Sequence, residues 1–171
     1  MKQETAMFQK SRVLVPVEGR APLPAWLYLA DKGGNRAAIS IAYDPATGSE
    51  GEVAFFAAAF AFSGYSVLTH AHREGDATIA GGGKHSECVL LDWQCGVTFL
   101  RRLPGVDTPR IGIWNQGPAG YGRRMQTQDC LLAVFDEAPS RIYRPNAADV
   151  MQVRGYAALS WFAHHIPDYQ A

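Results

Sequence analysis

Residues Val89–Gly122 read VLLDWQCGVTFLRRLPGVDTPRIGIWNQGPAGYG, and this stretch decides the fold. Its first part repeats apolar residues at helical spacing, and the face so formed carries Val89, Trp93, Val97 and Leu100. We therefore predict a helix over residues 86–103, with Ser86 as its N-cap. The PGVDTP segment breaks this helix, and RIGIW at 110–114 is a short apolar run typical of a strand buried on both faces. The glycine-rich NQGPAGYG then predicts a sharp turn at the end of that strand.

The rest of the chain alternates strand-like and helix-like segments. The predicted elements are strands at 11–18, 25–30, 36–43, 65–70 and 129–135, and helices at 52–64 and 146–166. The first two strands flank a Gly/Pro turn and predict a hairpin, and Gly64 stands where a helix C-cap belongs. A hairpin followed by alternating strands and helices predicts the α/β class: a three-layer sandwich with a mostly parallel sheet, in a single domain over residues 1–171.

Composition and charge exclude several classes of protein. The 171 residues are 47% hydrophobic and 19% charged, and 16 basic residues balance 16 acidic ones. Because no basic stripe is present, we expect no nucleic-acid partner. The longest apolar run, residues 53–62, is too short to span a bilayer, and the N-terminus has no secretory apolar region, so we expect no membrane partner. The odd set of Cys88, Cys95 and Cys130 predicts reduced thiols in a cytoplasmic protein.

A ligand site is expected where the predicted strands end. In open α/β sheets, ligands bind in the crevice at the carboxyl ends of the strands. Those ends carry Tyr43-Asp44, His70 to Arg73, Asn115 to Pro118 and Asp136-Glu137. The residues that we expect to bind a small-molecule ligand are Tyr43, Asp44, His72, Gln116, Gly117 and Pro118. No cofactor is expected, because the glycine-rich IAGGGKHS at 79–86 lacks the spacing of a phosphate loop.

Several stretches resemble the α/β-hydrolase superfamily, and within it the dienelactone-hydrolase-like and acyl-peptidase-like esterases. PLPAWLYLADKGGNRAAISIAY is similar to the family's N-terminal hairpin and third strand, and FFAAAFAFSGYSVLTHAHREGD to its first helix and fourth strand. LLDWQCGVTFLRRLPGVDTPRIGIW is the most specific part, and it resembles the helix and strand that precede the nucleophile turn. YRPNAADVMQVRGYAALSWFAHHI resembles the closing helix. The resemblance covers roughly residues 11–122 and 143–166 and implies hydrolase ancestry.

The catalytic motifs of these relatives are not present in this sequence. Relatives read GLWGxSxGG at the nucleophile turn, and GIWNQGPAGYG places Gly117 at the position of the serine. The next residue in relatives lends its backbone N–H to the oxyanion hole, but here it is Pro118, which has no N–H. Tyr43-Asp44 stands in place of the third-strand His-Gly, and Ala71 in place of the fourth-strand aspartate.

Two alignments of LLAVFDEAPSRIYRP, residues 131–145, stay open. In one, the position of the catalytic histidine falls on Ser140; in the other, the catalytic acid and histidine are both deleted. Neither yields a Ser–His–acid set, so the resemblance implies a non-catalytic small-molecule-binding or interaction protein with no catalytic residues. The alternatives are an active hydrolase, esterase-like or metal-assisted, that uses residues such as His72 with Asp76, and an assembly protein whose role is dimerisation.

The segment THAHREGD at 69–76 also permits a metal-site interpretation. His70 and His72 point the same way if they continue a strand, and with Asp76 and His85 they faintly resemble the metallo-β-lactamase motif. That motif's Asp and third His fall on Glu74 and Gly75, so we favour hydrogen-bonded loop histidines and expect no metal.

The predicted sheet also has a consequence for assembly. Roughly six strands are fewer than the relatives have, so one edge of the sheet is expected to be exposed. Because exposed edges are normally covered or paired, we expect a homodimer.

Overall fold

The computed structural model describes residues 8–31, 33–46, 48–73, 85–116, 133–137 and 160–165, with backbone only at 85–87 and 133–137. In chain order its elements are β1 (Phe8–Val15), β2 (Leu23–Ala30), β3 (Arg36–Tyr43), α1 (Glu50–Phe62), β4 (Ser66–Ala71), α2 (His85–Arg102), β5 (Val106–Gln116) and β6 (Ala133–Glu137). Residues 160–165 are also helical. Of the last predicted strand and helix, residues 129–132, 146–159 and 166 lie outside the described part.

The strands form one six-stranded sheet in the order β1-β2-β4-β3-β5-β6. The pairs β3–β4, β3–β5 and β5–β6 are parallel, whereas β1–β2 and β2–β4 are antiparallel. The predicted α/β class and N-terminal hairpin are therefore confirmed. The sheet is mixed rather than mostly parallel, because the hairpin brings β2 antiparallel to β4 as well as to β1.

Helices cover both faces of the sheet and make three layers. On one face, α1 and Phe162 pack against side chains such as Ile39, Ile41 and Trp114. On the other, α2 packs against the alternate strand positions, which include Ala38 and Ala42. The predicted helix face is confirmed, since its members Val89, Trp93, Val97 and Leu100 are all buried. Among the described residues, no helix combines the length and the apolar character needed to cross a membrane.

The ends of α1 follow from its capping residues. The Ser49 hydroxyl accepts a hydrogen bond of 3.2 Å from the backbone N–H of Glu52, so the helix begins at Glu50, two residues before the predicted start. Gly64 has a φ of 102°, which confirms its predicted role at the carboxyl end. The cap predicted for α2 is wrong: that helix begins at His85 and Ser86 lies within it.

Strand β5 is longer than the 110–114 run that the sequence predicts, because PGVDTP does not separate helix from strand. The strand begins at Val106, and its pairing with β3 shifts register between Arg36 and Ala38. Residues 107–110, which include Pro109, occupy this irregularity. Proline within a sheet is tolerated at such a bulge, since its missing N–H breaks no regular ladder bond. At its other end, β5 runs to Gln116, two residues beyond the predicted end, and the glycine-rich segment after it lies outside the described residues.

Candidate functional site

The carboxyl ends of β3, β4 and β5 meet at one edge of the sheet and are joined by backbone hydrogen bonds. The N–H of His72 donates to the carbonyl of Tyr43 at 2.7 Å, and the N–H of Asp44 donates to the carbonyl of Gln116 at 3.0 Å. The structure therefore brings together four of the residues predicted from the sequence: Tyr43, Asp44, His72 and Gln116. Gly117 and Pro118 lie outside the described residues.

These four residues do not all face the same space. Tyr43 belongs to the apolar cluster on the α1 face. The buried ring of His72 instead packs edge-on against Trp93 of α2, with ring centroids 5.7 Å apart. The Asp44 carboxylate accepts from the N–H of Ala46 at 2.9 Å, so it also holds the turn that leads into α1.

A cavity of about 170 Å³ opens on the α1 side of this edge. Its walls include Arg12 of β1, Trp26 of β2, Tyr43, Glu50 and Thr69. Trp26 contacts both charged residues of the wall. Its indole N–H donates to the Glu50 carboxylate at 2.6 Å, and its ring lies 5.8 Å from the guanidinium carbon of Arg12. The cavity is therefore small, polar and lined by charges of both signs.

Of the residues that line this cavity, Tyr43 was predicted, whereas Arg12, Trp26 and Glu50 were missed. They come from a hairpin and from the first turn of α1, and only the pairing of β2 with β4 brings them to the end of β3. One sequence signal did exist: Ser49-x-x-Glu52 is a capping-box pattern, which places Glu50 on the first helical turn soon after Tyr43.

Burial, and the nearby negative charge of Glu50, raise the pKa of the Tyr43 phenol above its usual value. The hydroxyl therefore stays protonated at neutral pH and can donate a hydrogen bond.

On the opposite face, polar groups are buried beneath α2 at Gly96. A Cβ placed on Gly96 would lie 3.7 Å from both Nε2 of His70 and Oγ of Ser40. Within the described part of the chain, neither of those two atoms has a hydrogen-bond partner. Burial, followed by the proximity of His72, lowers the pKa of His70 to about 4. His70 is therefore neutral at physiological pH.

This shift predicts a stability that depends on pH. The unfolded chain takes up a proton at His70 near pH 6.5, whereas the folded chain does so only near pH 4. Stability is therefore complete above pH 6.5 and is lost as the pH falls from 6.5 to 4, by about 3 kcal/mol in all. We expect urea unfolding between pH 7 and pH 4 to give a smaller loss of unfolding free energy for His70→Gln than for the wild type. Equal losses in the two proteins would contradict the assignment.

An ion cluster fixes the exit of β4 against α2. Asp92, which is 1% exposed, accepts from Arg20 at 3.3 Å and from Nε of Arg73 at 2.8 Å, and a second Arg73 nitrogen also donates to it. Arg73 donates further to the carbonyl of Ala21 at 2.7 Å. These contacts hold the loop between β1 and β2, which carries Arg20 and Ala21, against the end of β4 and helix α2 beside the site. Sequence reasoning missed this cluster, although an aspartate on the apolar face of a helix was a usable signal.

The metal-site interpretation depends on where the side chains of His70 and His72 point. His70 lies beside Gly96 of α2 and His72 beside Trp93 of α2, so both rings point to the same face of the sheet, as alternation predicts. Asp76 and the side chain of His85 lie outside the described residues. Within the described ranges, no group of three His, Cys, Asp or Glu side chains is placed to hold a metal ion.

The sequence matches no protein-family model and no curated protein sequence. Among solved structures, a hypothetical protein from Pseudomonas aeruginosa is 24% identical, with a TM-score of 0.57 over 76% of this chain and 42% of its own. A protein from Klebsiella pneumoniae that is provisionally assigned as a dienelactone hydrolase is 14% identical, with a TM-score of 0.57 over 91% of this chain and 98% of its own. An α/β hydrolase from a Penicillium species is 17% identical, with a TM-score of 0.52 over 63% and 37%.

The chain therefore has an α/β-hydrolase-like fold, as the sequence resemblance predicted. It spans less than half the length of the Pseudomonas and Penicillium proteins and nearly the whole length of the Klebsiella protein.

Proposed function

We propose that this protein binds a small molecule at the carboxyl edge of its sheet and does not cleave it. The observation that carries the proposal is the residue that follows β5. Strand β5 ends at Gln116, and the alignment of GIWNQGPAGYG with GLWGxSxGG puts the next residue, Gly117, at the position where hydrolases of this fold carry their nucleophile. Glycine has no side chain to act as a nucleophile.

Pro118, the residue after Gly117, also argues against catalysis, because it affects the oxyanion hole rather than the nucleophile. In hydrolases of this fold, the backbone N–H after the nucleophile stabilises the oxyanion of the transition state. Pro118 has no N–H, and losing one such donor costs about 3–4 kcal/mol of transition-state stabilisation. Nucleophile and oxyanion donor are thus both missing at two consecutive positions of the sequence.

The carboxyl edge of the sheet still offers polar groups that can bind a ligand. Tyr43 lines the cavity and keeps a neutral hydroxyl, and Asp44 and Gln116 lie at the ends of neighbouring strands. The proposed ligand-binding set is the one expected from the sequence: Tyr43 at the cavity on the α1 face, with Asp44, His72, Gln116, Gly117 and Pro118 at or after the strand ends, where the His72 ring lies on the α2 side.

An active hydrolase built on His72 with Asp76 is the rival function, and the geometry does not favour it. The ring of His72 is buried against Trp93 beneath α2, and His72 does not line the cavity on the α1 face. A general base must lie within hydrogen-bond reach of the proton that it removes.

Turnover of short-chain p-nitrophenyl esters tests the proposal. We expect purified wild-type protein to release p-nitrophenol no faster than buffer does. We expect Gly117→Ser to remain inactive too, because Pro118 still supplies no oxyanion donor. Saturable wild-type turnover that follows the protein through successive purification steps would overturn the proposal.

We also propose that the protein is a homodimer in the cytoplasm. Strands β1 and β6 form the two ends of the described sheet, and pairing with a second copy would cover such an edge. Cys88 and Cys95 carry free thiols, which suit a reducing compartment. Light scattering at micromolar concentration is expected to give twice the chain mass of 18.7 kDa, and the mass of a single chain would refute the dimer.

A further inference from the structure

The cavity beside Tyr43 carries two opposite charges that do not neutralise each other. Arg12 and Glu50 both line it, yet the ion pairs found among the described residues are Arg20–Asp92, Arg73–Asp92 and Arg110–Asp107. Arg12 lies over the ring of Trp26, and Glu50 accepts the Trp26 indole N–H. The tryptophan therefore contacts both charged groups while they remain separate from each other.

From this arrangement we infer that the cavity binds a small zwitterion, with its cationic group at Glu50 and its anionic group at Arg12. The inference rests on the proposed binding function and names the class of ligand. Arg12 and Glu50 are both solvent-exposed, so a ligand with one charge can make a charge-assisted hydrogen bond with only one of the two walls. A ligand with both charges satisfies both walls.

The size of the cavity and its other polar groups further limit which zwitterions can bind. A cavity of about 150 Å³ accommodates benzene, which has six heavy atoms, so about 170 Å³ fits a molecule of comparable size. A short amino acid is of that size. The Tyr43 hydroxyl and the buried Thr69 hydroxyl supply hydrogen bonds of either direction, which a compact polar molecule can use.

Charge-assisted hydrogen bonds give the site its selectivity. Such bonds are roughly twice as strong as those between neutral groups, and each end of a zwitterion can make one here. Losing either end is therefore expected to weaken binding by about tenfold or more.

The Trp26 indole N–H offers a direct readout, because it donates to the Glu50 carboxylate at the cavity wall. Its signal in a nitrogen–proton NMR spectrum can be assigned among the four tryptophans by its loss in Trp26→Phe. The probes are L-alanine and γ-aminobutyrate as zwitterions, propionate as the anion alone and ethylamine as the cation alone. We expect both zwitterions to shift the signal saturably, and each single-charge probe to need at least about tenfold higher concentration.

Two variants and two matched controls assign the charges. Glu50→Gln keeps an acceptor for Trp26 and removes the negative charge, and Arg12→Gln removes the positive charge. Each is expected to weaken L-alanine binding at least about tenfold. Lys10→Gln is the control for Arg12→Gln, because Lys10 also lies over the Trp26 ring, at 4.4 Å. Glu52→Gln is the control for Glu50→Gln, because Glu52 shares the first turn of α1. Neither Lys10 nor Glu52 lines the cavity. The controls are expected to bind L-alanine within about twofold of wild type.

The inference is overturned if neither zwitterion gives a saturable shift, if propionate or ethylamine binds as well as L-alanine, or if the controls weaken binding as much as the two variants do. Failure here with esters still uncleaved removes the ligand class alone. Ester turnover would instead remove the non-catalytic function, whatever the zwitterions do.

Discussion

Replacing Asp92 with asparagine is expected to lower the free energy of unfolding by about 3–5 kcal/mol. The carboxylate is 1% exposed and accepts hydrogen bonds from both Arg20 and Arg73. Its removal leaves the guanidinium groups of Arg20 and Arg73, which are 8% and 21% exposed, without this buried carboxylate, and the uncompensated charge causes the loss. Urea unfolding at pH 7 measures the change.

Asp107→Asn is the matched control, since Asp107 also pairs with an arginine but at a more exposed position. Its contact to Arg110 is 2.6 Å, and the two side chains are 24% and 14% exposed. We expect this variant to lose no more than about 1 kcal/mol, as partly solvated pairs usually do. Equal losses at Asp92 and Asp107 would show that the buried cluster has no special role in holding α2.

Trp114→Ala is expected to have a loss of similar size, about 3–5 kcal/mol, for a different reason. Trp114 is fully buried on β5, and its ring centroid lies 5.0 Å from that of Phe56 and 5.9 Å from that of Phe60. Truncation removes a large apolar surface and leaves a cavity between the sheet and α1, which the surrounding side chains fill only in part.

Phe55→Ala provides the comparison for Trp114, because Phe55 is also an aromatic residue of this layer but is 54% exposed. Its loss in urea unfolding is expected to stay within about 0.5 kcal/mol. A loss below 1 kcal/mol for Trp114→Ala would contradict the packing described for the α1 face.

The parts of the fold that depend on local pattern were predictable from the sequence. The helical spacing of Val89, Trp93, Val97 and Leu100 gave the buried face of α2, and Gly64 gave the end of α1. Both signals depend on residues close together in the chain. The extension of β5 back to Val106 was not predictable in this way, because a proline is tolerated there only through the irregular register with β3.

The candidate site was predictable only where strand ends define it. Tyr43, Asp44, His72 and Gln116 meet because parallel strands end at one edge of a sheet, which is a general rule. Which residues line the cavity depends on the face of the sheet to which each side chain points. His72 turned towards Trp93 on the α2 side, and the cavity formed on the α1 side with Arg12 and Glu50. Those two residues are 38 positions apart, and the β1–β2 and β2–β4 pairings bring Arg12 to the cavity that Glu50 of α1 also lines.

In the proposed function, no side chain of this protein acts as an activated serine nucleophile. The most direct measurement is reaction of the native protein with an excess of a serine-reactive fluorophosphonate, read by intact-mass spectrometry. We expect the mass to stay at that of the unmodified 18.7 kDa chain. A stoichiometric adduct, mapped by peptide analysis to one serine and lost when the protein is unfolded first, would contradict it.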